Sequence, residues 1–135
     1  MKSEEKIRKL IHAARDVRKF SQAKYSDFAV GAALLTQEGE IITGCNVESS
    51  SFGLTICAER VALTKALSEG KLKFTQIAIV GPTKGYCPPC GACRQLLYDY
   101  APEIDIILSN DEDYKVISLK ELLPLAFEET QLRKS

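Results

Sequence analysis

The sequence predicts an α/β fold, a three-layer α/β/α sandwich around a mixed five-stranded sheet. Three observations predict it. Five short runs with strand character alternate with helical patterns in the order β-β-α-β-α-β-β, and a helical pattern flanks the set at each end. The first two runs are joined by the turn residues Gln37, Glu38 and Gly39, the signature of a hairpin. Gln76 to Val80 is a short, nearly continuous apolar run, as a central strand covered on both faces requires.

Taken in order, Ser3 can cap a first helix with Glu4 and Glu5 on its positive end, and Ile7, Leu10, Ile11, Ala14 and Val17 recur at helical spacing. Arg8, Arg15, Arg18 and Lys19 lie mostly off that stripe and read as a solvated face. The hairpin strands run from Phe28 to Leu35 and from Ile41 to Val47, and the small residues Ala29, Gly31, Ala32 and Ala33 permit close packing of a helix. A second helix begins near Cys57, continues through Ala62, Leu63, Ala66 and Leu67, and stops at Gly70, which supplies a left-handed C-terminal residue. Pro88 and Pro89 can precede a third helix, which continues from Arg94 to Tyr100 and ends before Pro102. Ile104 to Leu108 and Tyr114 to Ile117 are the last two strands, and Ser118 with Glu121 has the spacing of a capping box that opens a further helix.

Composition narrows the function. The 135 residues are 45% hydrophobic, with no repeat, linker or composition shift, so residues 1–135 read as a single domain with a real core. The 18 basic residues balance 18 acidic ones, which leaves no electrostatic reason to bind a polyanion and argues against a nucleic-acid partner. The N-terminal MKSEEKIRKL is charged, without the apolar centre of a secretory signal, and no stretch approaches membrane-spanning length. A cytoplasmic protein with no membrane association is the expectation. Five cysteines, an odd number gathered largely between residues 57 and 93, favour metal or redox chemistry over a disulfide framework.

Cys90 and Cys93 have the spacing that lets two thiolates in the first turn of a helix face one ion. Cys57 is the natural third ligand, because it too falls at a helix start, where exposed N–H groups and the helix dipole favour the thiolate. Three thiolates around Zn2+ leave a net negative charge, and Arg60, beside the ligand-bearing turn, is the preferred offset, with Arg94 as the other available cation. Glu59 stands two residues beyond Cys57. At the very first turn of a helix both side chains can lean over the helix end, where a carboxylate would serve as general acid and base for zinc hydrolysis. Cys87 complicates this, since CPPCGAC holds two overlapping CxxC pairs and four thiolates would make a closed, structural site. Cys45 reads as a small buried apolar residue, and His12, the sole histidine, as an ordinary helix residue.

CAER from Cys57 to Arg60 and PCGACRQ from Pro89 to Gln95 resemble the zinc signature of the small cytidine deaminases. YSDFAVGAAL from Tyr25 to Leu34, GCNVE from Gly44 to Glu48 and LLPLAF from Leu122 to Phe127 resemble that family's other segments, in order and at similar separations, so the resemblance extends over nearly the whole chain. It implies the cytidine deaminase-like fold and hydrolytic deamination of cytidine and deoxycytidine, in pyrimidine salvage. Zinc-bound hydroxide would attack C4 while Glu59 protonates N3 and assists loss of ammonia. It also implies that Asn46 and Glu48 hydrogen-bond the ribose, that Phe28 packs on the base or sugar, and that the backbone around Ala58 reads the pyrimidine edge. The all-cysteine ligand set resembles the homotetrameric branch, in which Phe127 would reach a neighbouring subunit's pocket. Phe52 stands where the family often has tyrosine, Leu125 replaces a common glycine, and Cys87 is an added thiol.

Two other readings remain at this level. A deaminase of a nucleoside-like antibiotic of the blasticidin type would share the fold and zinc motif, although Asn46 and Glu48 favour an ordinary ribose. A zinc-stabilised binding module without turnover would need the closed four-thiolate site.

Overall fold

The computed structural model describes residues 2–82, 85–110 and 113–132. Its first helix, α1 (Lys2–Val17), already includes Ser3, so that residue lies inside the first turn and is not the expected cap. The hairpin strands are β1 (Gly31–Thr36) and β2 (Ile41–Cys45), then come α2 (Ala58–Ser68), β3 (Phe74–Val80), α3 (Gly91–Tyr100), β4 (Asp105–Ser109), β5 (Tyr114–Ser118) and a single turn, α4 (Leu119–Leu122). Gly70, at φ +84°, ends α2 in the left-handed region. Ser118 and Glu121 do form the capping box at the start of α4.

The five strands make one sheet in the order β2-β1-β3-β4-β5, with β3 and β4 parallel and the other three pairs antiparallel, a mixed sheet as predicted. Strand alternation divides the core between two faces. Ala33, Leu35, Ala78, Val80 and Ile107 turn toward Leu10, Ile11 and Ala14 of α1. Ala32, Leu34, Ile77, Ile79, Ile106 and Leu108 turn the other way, toward Ala62, Leu63 and Ala66 of α2, Leu97 of α3 and Leu119 of α4. Three layers result. Ile77, Ile79, Ile106, Ile107 and Leu34 are wholly buried, each worth about 1.5–3 kcal/mol in apolar transfer.

Both hairpin strands are shorter than the apolar runs that announced them. Phe28 to Val30 stay outside β1, and Asn46 and Val47 outside β2. The Asn46 side chain replaces the ladder there: its Nδ2 donates to the Phe28 carbonyl at 2.9 Å and its Oδ1 accepts from the Val30 N–H at 2.9 Å. Asp27, just upstream, takes a left-handed φ of 57°, which ends any extended run.

Register decides where the site forms. Gly31 pairs with Cys45 on one side and with Val80 on the other, so Val30, Asn46 and Gly81 emerge together at one end of the sheet. Helix α2 is seated close against this end of the sheet. A Cβ built on Gly44 would lie 2.5 Å from the Ala62 nitrogen and 2.6 Å from the Ala58 carbonyl oxygen.

Candidate active site

The N-terminal ends of α2 and α3 converge at that end of the sheet. Cys57 immediately precedes α2 and Cys90 immediately precedes α3, both with extended backbone, while Cys93 sits in the first turn of α3. Cys57 Sγ is 3.8 Å from Cys90 Sγ, and Cys90 Sγ is 3.3 Å from Cys93 Sγ. All three sulfurs lie within 4.8 Å of one another, the one such group of metal-ligating atoms among the described residues. Thiolates held at 2.3 Å on a tetrahedral zinc are about 3.8 Å apart, so the donor set and its spacing suit that ion. Cys87 is not part of the cluster. Its Sγ packs over Gly81, 3.4 Å from where a Cβ would stand, and burial pushes its thiol up to about 11, helped by the charges of Glu59 and Cys57. The chain therefore does not build the closed four-thiolate centre that its overlapping CxxC pairs allow.

Electrostatics favour charge on the first of these sulfurs. A hydrogen bond from the Cys93 thiol, then contacts with Arg60 and Cys90, draw Cys57 down to about 5, while Cys93 is correspondingly raised. Arg60 Nη2 donates to the Thr55 carbonyl at 3.0 Å and lies 3.9 Å from Cys57 Sγ, a contact that raises the arginine's own pKa. Its Nε is buried with no partner among the described residues.

A cavity of about 390 Å³ opens over the cluster, and most of the sequence-predicted residues line it: Phe28, Asn46, Glu48, Cys57, Ala58, Glu59 and Cys90. Glu59 is only 5% exposed, and burial lifts its carboxyl to about 7, with the Cys57 charge adding to the shift. A carboxyl near neutrality, beside three sulfurs and open to a cavity, is suited to taking and returning a proton.

Asn46 and Glu48 are already engaged by the protein. Asn46 Oδ1 accepts from Ser21 Oγ at 2.5 Å in addition to its bonds with Phe28 and Val30. Glu48 Oε1 accepts from the N–H groups of Tyr25 at 2.9 Å and Ser26 at 3.0 Å, and Oε2 accepts from Ser26 Oγ. These bonds, the Ser26 hydroxyl first, hold the Glu48 carboxyl below the usual range. Between the two side chains, Asn46 Nδ2 and Glu48 Oε2 keep only a long contact of 3.5 Å.

Not every candidate reaches the cavity. Phe127 is 51% exposed, its carbonyl accepting from Gln95 Nε2 of α3 at 2.9 Å, and it does not line this chain's own cavity. His12 lies instead on a separate surface hollow with Arg8 and Arg15. Cys45 is half-buried. Ser26 and Thr55 also line the cavity, and neither residue type nor spacing marks them in the sequence, although Ser26 stands inside the YSDF segment two residues before Phe28.

A family model for the cytidine and deoxycytidylate deaminase zinc-binding region matches residues 4–107. The cytidine deaminase of Halalkalibacterium halodurans is 48% identical over 120 residues, 87% of this chain and 91% of that protein. The blasticidin-S deaminase of Bacillus cereus is 34% identical over 106 residues, 73% of this chain and 76% of that protein. The crystal structure of cytidine deaminase from Burkholderia pseudomallei superposes with a TM-score of 0.86 at 47% identity, covering 89% of this chain and 98% of that one.

Proposed function

Since the chain belongs to the zinc-binding family of cytidine and deoxycytidylate deaminases, and is a zinc-dependent deaminase, we propose that it hydrolyses free cytidine and deoxycytidine to uridine and deoxyuridine with release of ammonia. The observation that carries this reading is the single cavity lined by Cys57 and Cys90 of the three-sulfur cluster, a buried carboxylate and an aromatic ring. Cys57, Cys90 and Cys93 hold the zinc. When bound, zinc supplies Lewis acidity to water, the chemistry that makes a nucleophile at neutral pH. Arg60, 3.9 Å from Cys57 Sγ, offsets part of the negative charge of three thiolates.

Glu59 takes a proton from the attacking water and delivers it to N3 of the pyrimidine, then assists departure of the amine. The bond from C4 to the exocyclic nitrogen breaks, one from C4 to oxygen forms, and ammonia leaves. The buried position that lifts Glu59 to about 7 keeps both of its protonation states accessible near neutral pH. Phe28 packs against the base or sugar and the backbone around Ala58 reads the pyrimidine edge. A ribose hydroxyl placed between Asn46 Nδ2 and Glu48 Oε2 accepts from the first and donates to the second, replacing their 3.5 Å contact with two good hydrogen bonds.

The enzyme acts in pyrimidine salvage, in the cytoplasm, where a reducing medium suits five free cysteines. No helix among the described residues is long and apolar enough to cross a membrane. It works as a homotetramer, supported by the large apolar side chains a single chain leaves outside: Phe52 at 80% exposure and Leu125 at 96%. Phe127 then belongs to a neighbour's site.

Ammonia release from cytidine, deoxycytidine and blasticidin S tests the substrate. Turnover of both nucleosides is expected, and inactivity on both would defeat the assignment. Glu59→Gln is expected to lower kcat by about 10²–10⁴-fold while zinc stoichiometry and fold remain.

A further inference from the structure

We infer that Ser26 is a positioning residue for this reaction: its hydroxyl ties the carboxylate of Glu48 to the backbone of Phe28, so that one turn holds the sugar side and the ring side of the cavity in fixed relation. This rests on the reading above that Glu48 meets the ribose.

Ser26 Oγ does two things at once. It donates to Glu48 Oε2 and accepts from the Phe28 N–H at 3.0 Å. The N–H groups of Tyr25 and Ser26 converge on the other oxygen, Oε1, at 2.9 and 3.0 Å. Asp27, between Ser26 and Phe28, holds a left-handed φ of 57°, and its N–H donates to the Ala23 carbonyl at 2.8 Å. Phe28 is thus gripped on both sides of its backbone, at the N–H by Ser26 and at the carbonyl by Asn46. Without the hydroxyl, Glu48 Oε2 keeps only the 3.5 Å contact to Asn46, and the Phe28 N–H loses its acceptor. The carboxylate is then held through Oε1 alone by the Tyr25 and Ser26 N–H groups, and Oε2, the oxygen facing the sugar, loses the bond that fixes it in the geometry a sugar hydroxyl needs. Ser26 itself is placed on Glu48 and Phe28 and reaches the chemistry through them.

Steady-state kinetics of Ser26→Ala on cytidine and on its dideoxy analogue, which lacks the ring hydroxyls, test this. The expected result is a KM for cytidine raised about tenfold, the worth of a charge-assisted hydrogen bond, with kcat nearly unchanged. The rise for the dideoxy analogue is smaller, zinc content and Tm match the unmodified enzyme, and Ser26→Thr restores the cytidine KM. Should the alanine variant not fold, Ser26→Cys, close in size but a weak donor, carries the same expectation. A variant with unchanged cytidine KM, or with equal losses on both substrates and a lowered Tm, would overturn the inference. If the unmodified enzyme itself shows the same KM for cytidine and the dideoxy analogue, the ribose reading of Glu48 fails first and takes this inference with it.

Discussion

Cys57 and Glu59 are two positions apart, a spacing that on a regular helix turns side chains away from each other. They share a cavity because Cys57 stands outside the helix, in extended backbone at ψ 154°, while Glu59 is already in the first turn. The same device places Cys90 before α3 and Cys93 inside it. Residue types and spacing were therefore enough to propose the sulfur cluster, and a signal was also present for Glu59. They were not enough for Cys87, which stands outside the three-sulfur group and packs over Gly81. Metal analysis of single variants separates the four thiols: Cys57→Ala, Cys90→Ala and Cys93→Ala should each lose zinc, and Cys87→Ala should retain it. Zinc loss in the last would restore the closed four-thiolate site. Asn46 shows the opposite limit. In sequence it is a polar residue beside a strand, and only the hydrogen bonds to Phe28 and Val30 show that it splices two chain segments together.

Helices and strands were legible because their signals are local. Helical spacing marked α1 and α2, a glycine stop marked the end of α2, and a capping box marked α4. Strand ends were less legible, since what terminates β1 and β2 is a side chain distant in sequence from the backbone it bonds. At this scale the glycines under the helices govern the site. Gly44 lets the first turn of α2 lie on β2, whereas Gly31 serves α1 on the opposite face, where a Cβ would come 1.9 Å from the Ala14 carbonyl oxygen. Gly44→Ala and Gly31→Ala should each destabilise by about 1–3 kcal/mol, lowering Tm by several degrees. Zinc affinity should fall only in the first, because that substitution lifts the helix bearing Cys57 and Glu59 from its seat. Equal zinc affinity in the two variants would show that α2 can shift without disturbing the cluster.

For the whole molecule, the proposed homotetramer makes Phe127 a contributor in trans. Glu59→Gln and Phe127→Ala variants, each impaired alone, should complement when co-assembled, because a site pairing Glu59 of one chain with Phe127 of another is intact. Random mixing restores about a quarter of the sites. No gain on mixing, or a monomer in sedimentation, would remove Phe127 from catalysis. What the sequence by itself carried is the chemistry: three thiol donors, a carboxylate and the helix starts that bear them, encoded in two short stretches, 57–60 and 90–93, each readable from local spacing and helix-end rules. Only the tertiary structure decided which distant segments meet over that chemistry. The register that aligns Gly31 with both Cys45 and Val80 brings residues 26–30, 46–48, 81–82 and 87–90 to one end of the sheet, and register follows from burial of both sheet faces at once, a condition no local stretch contains.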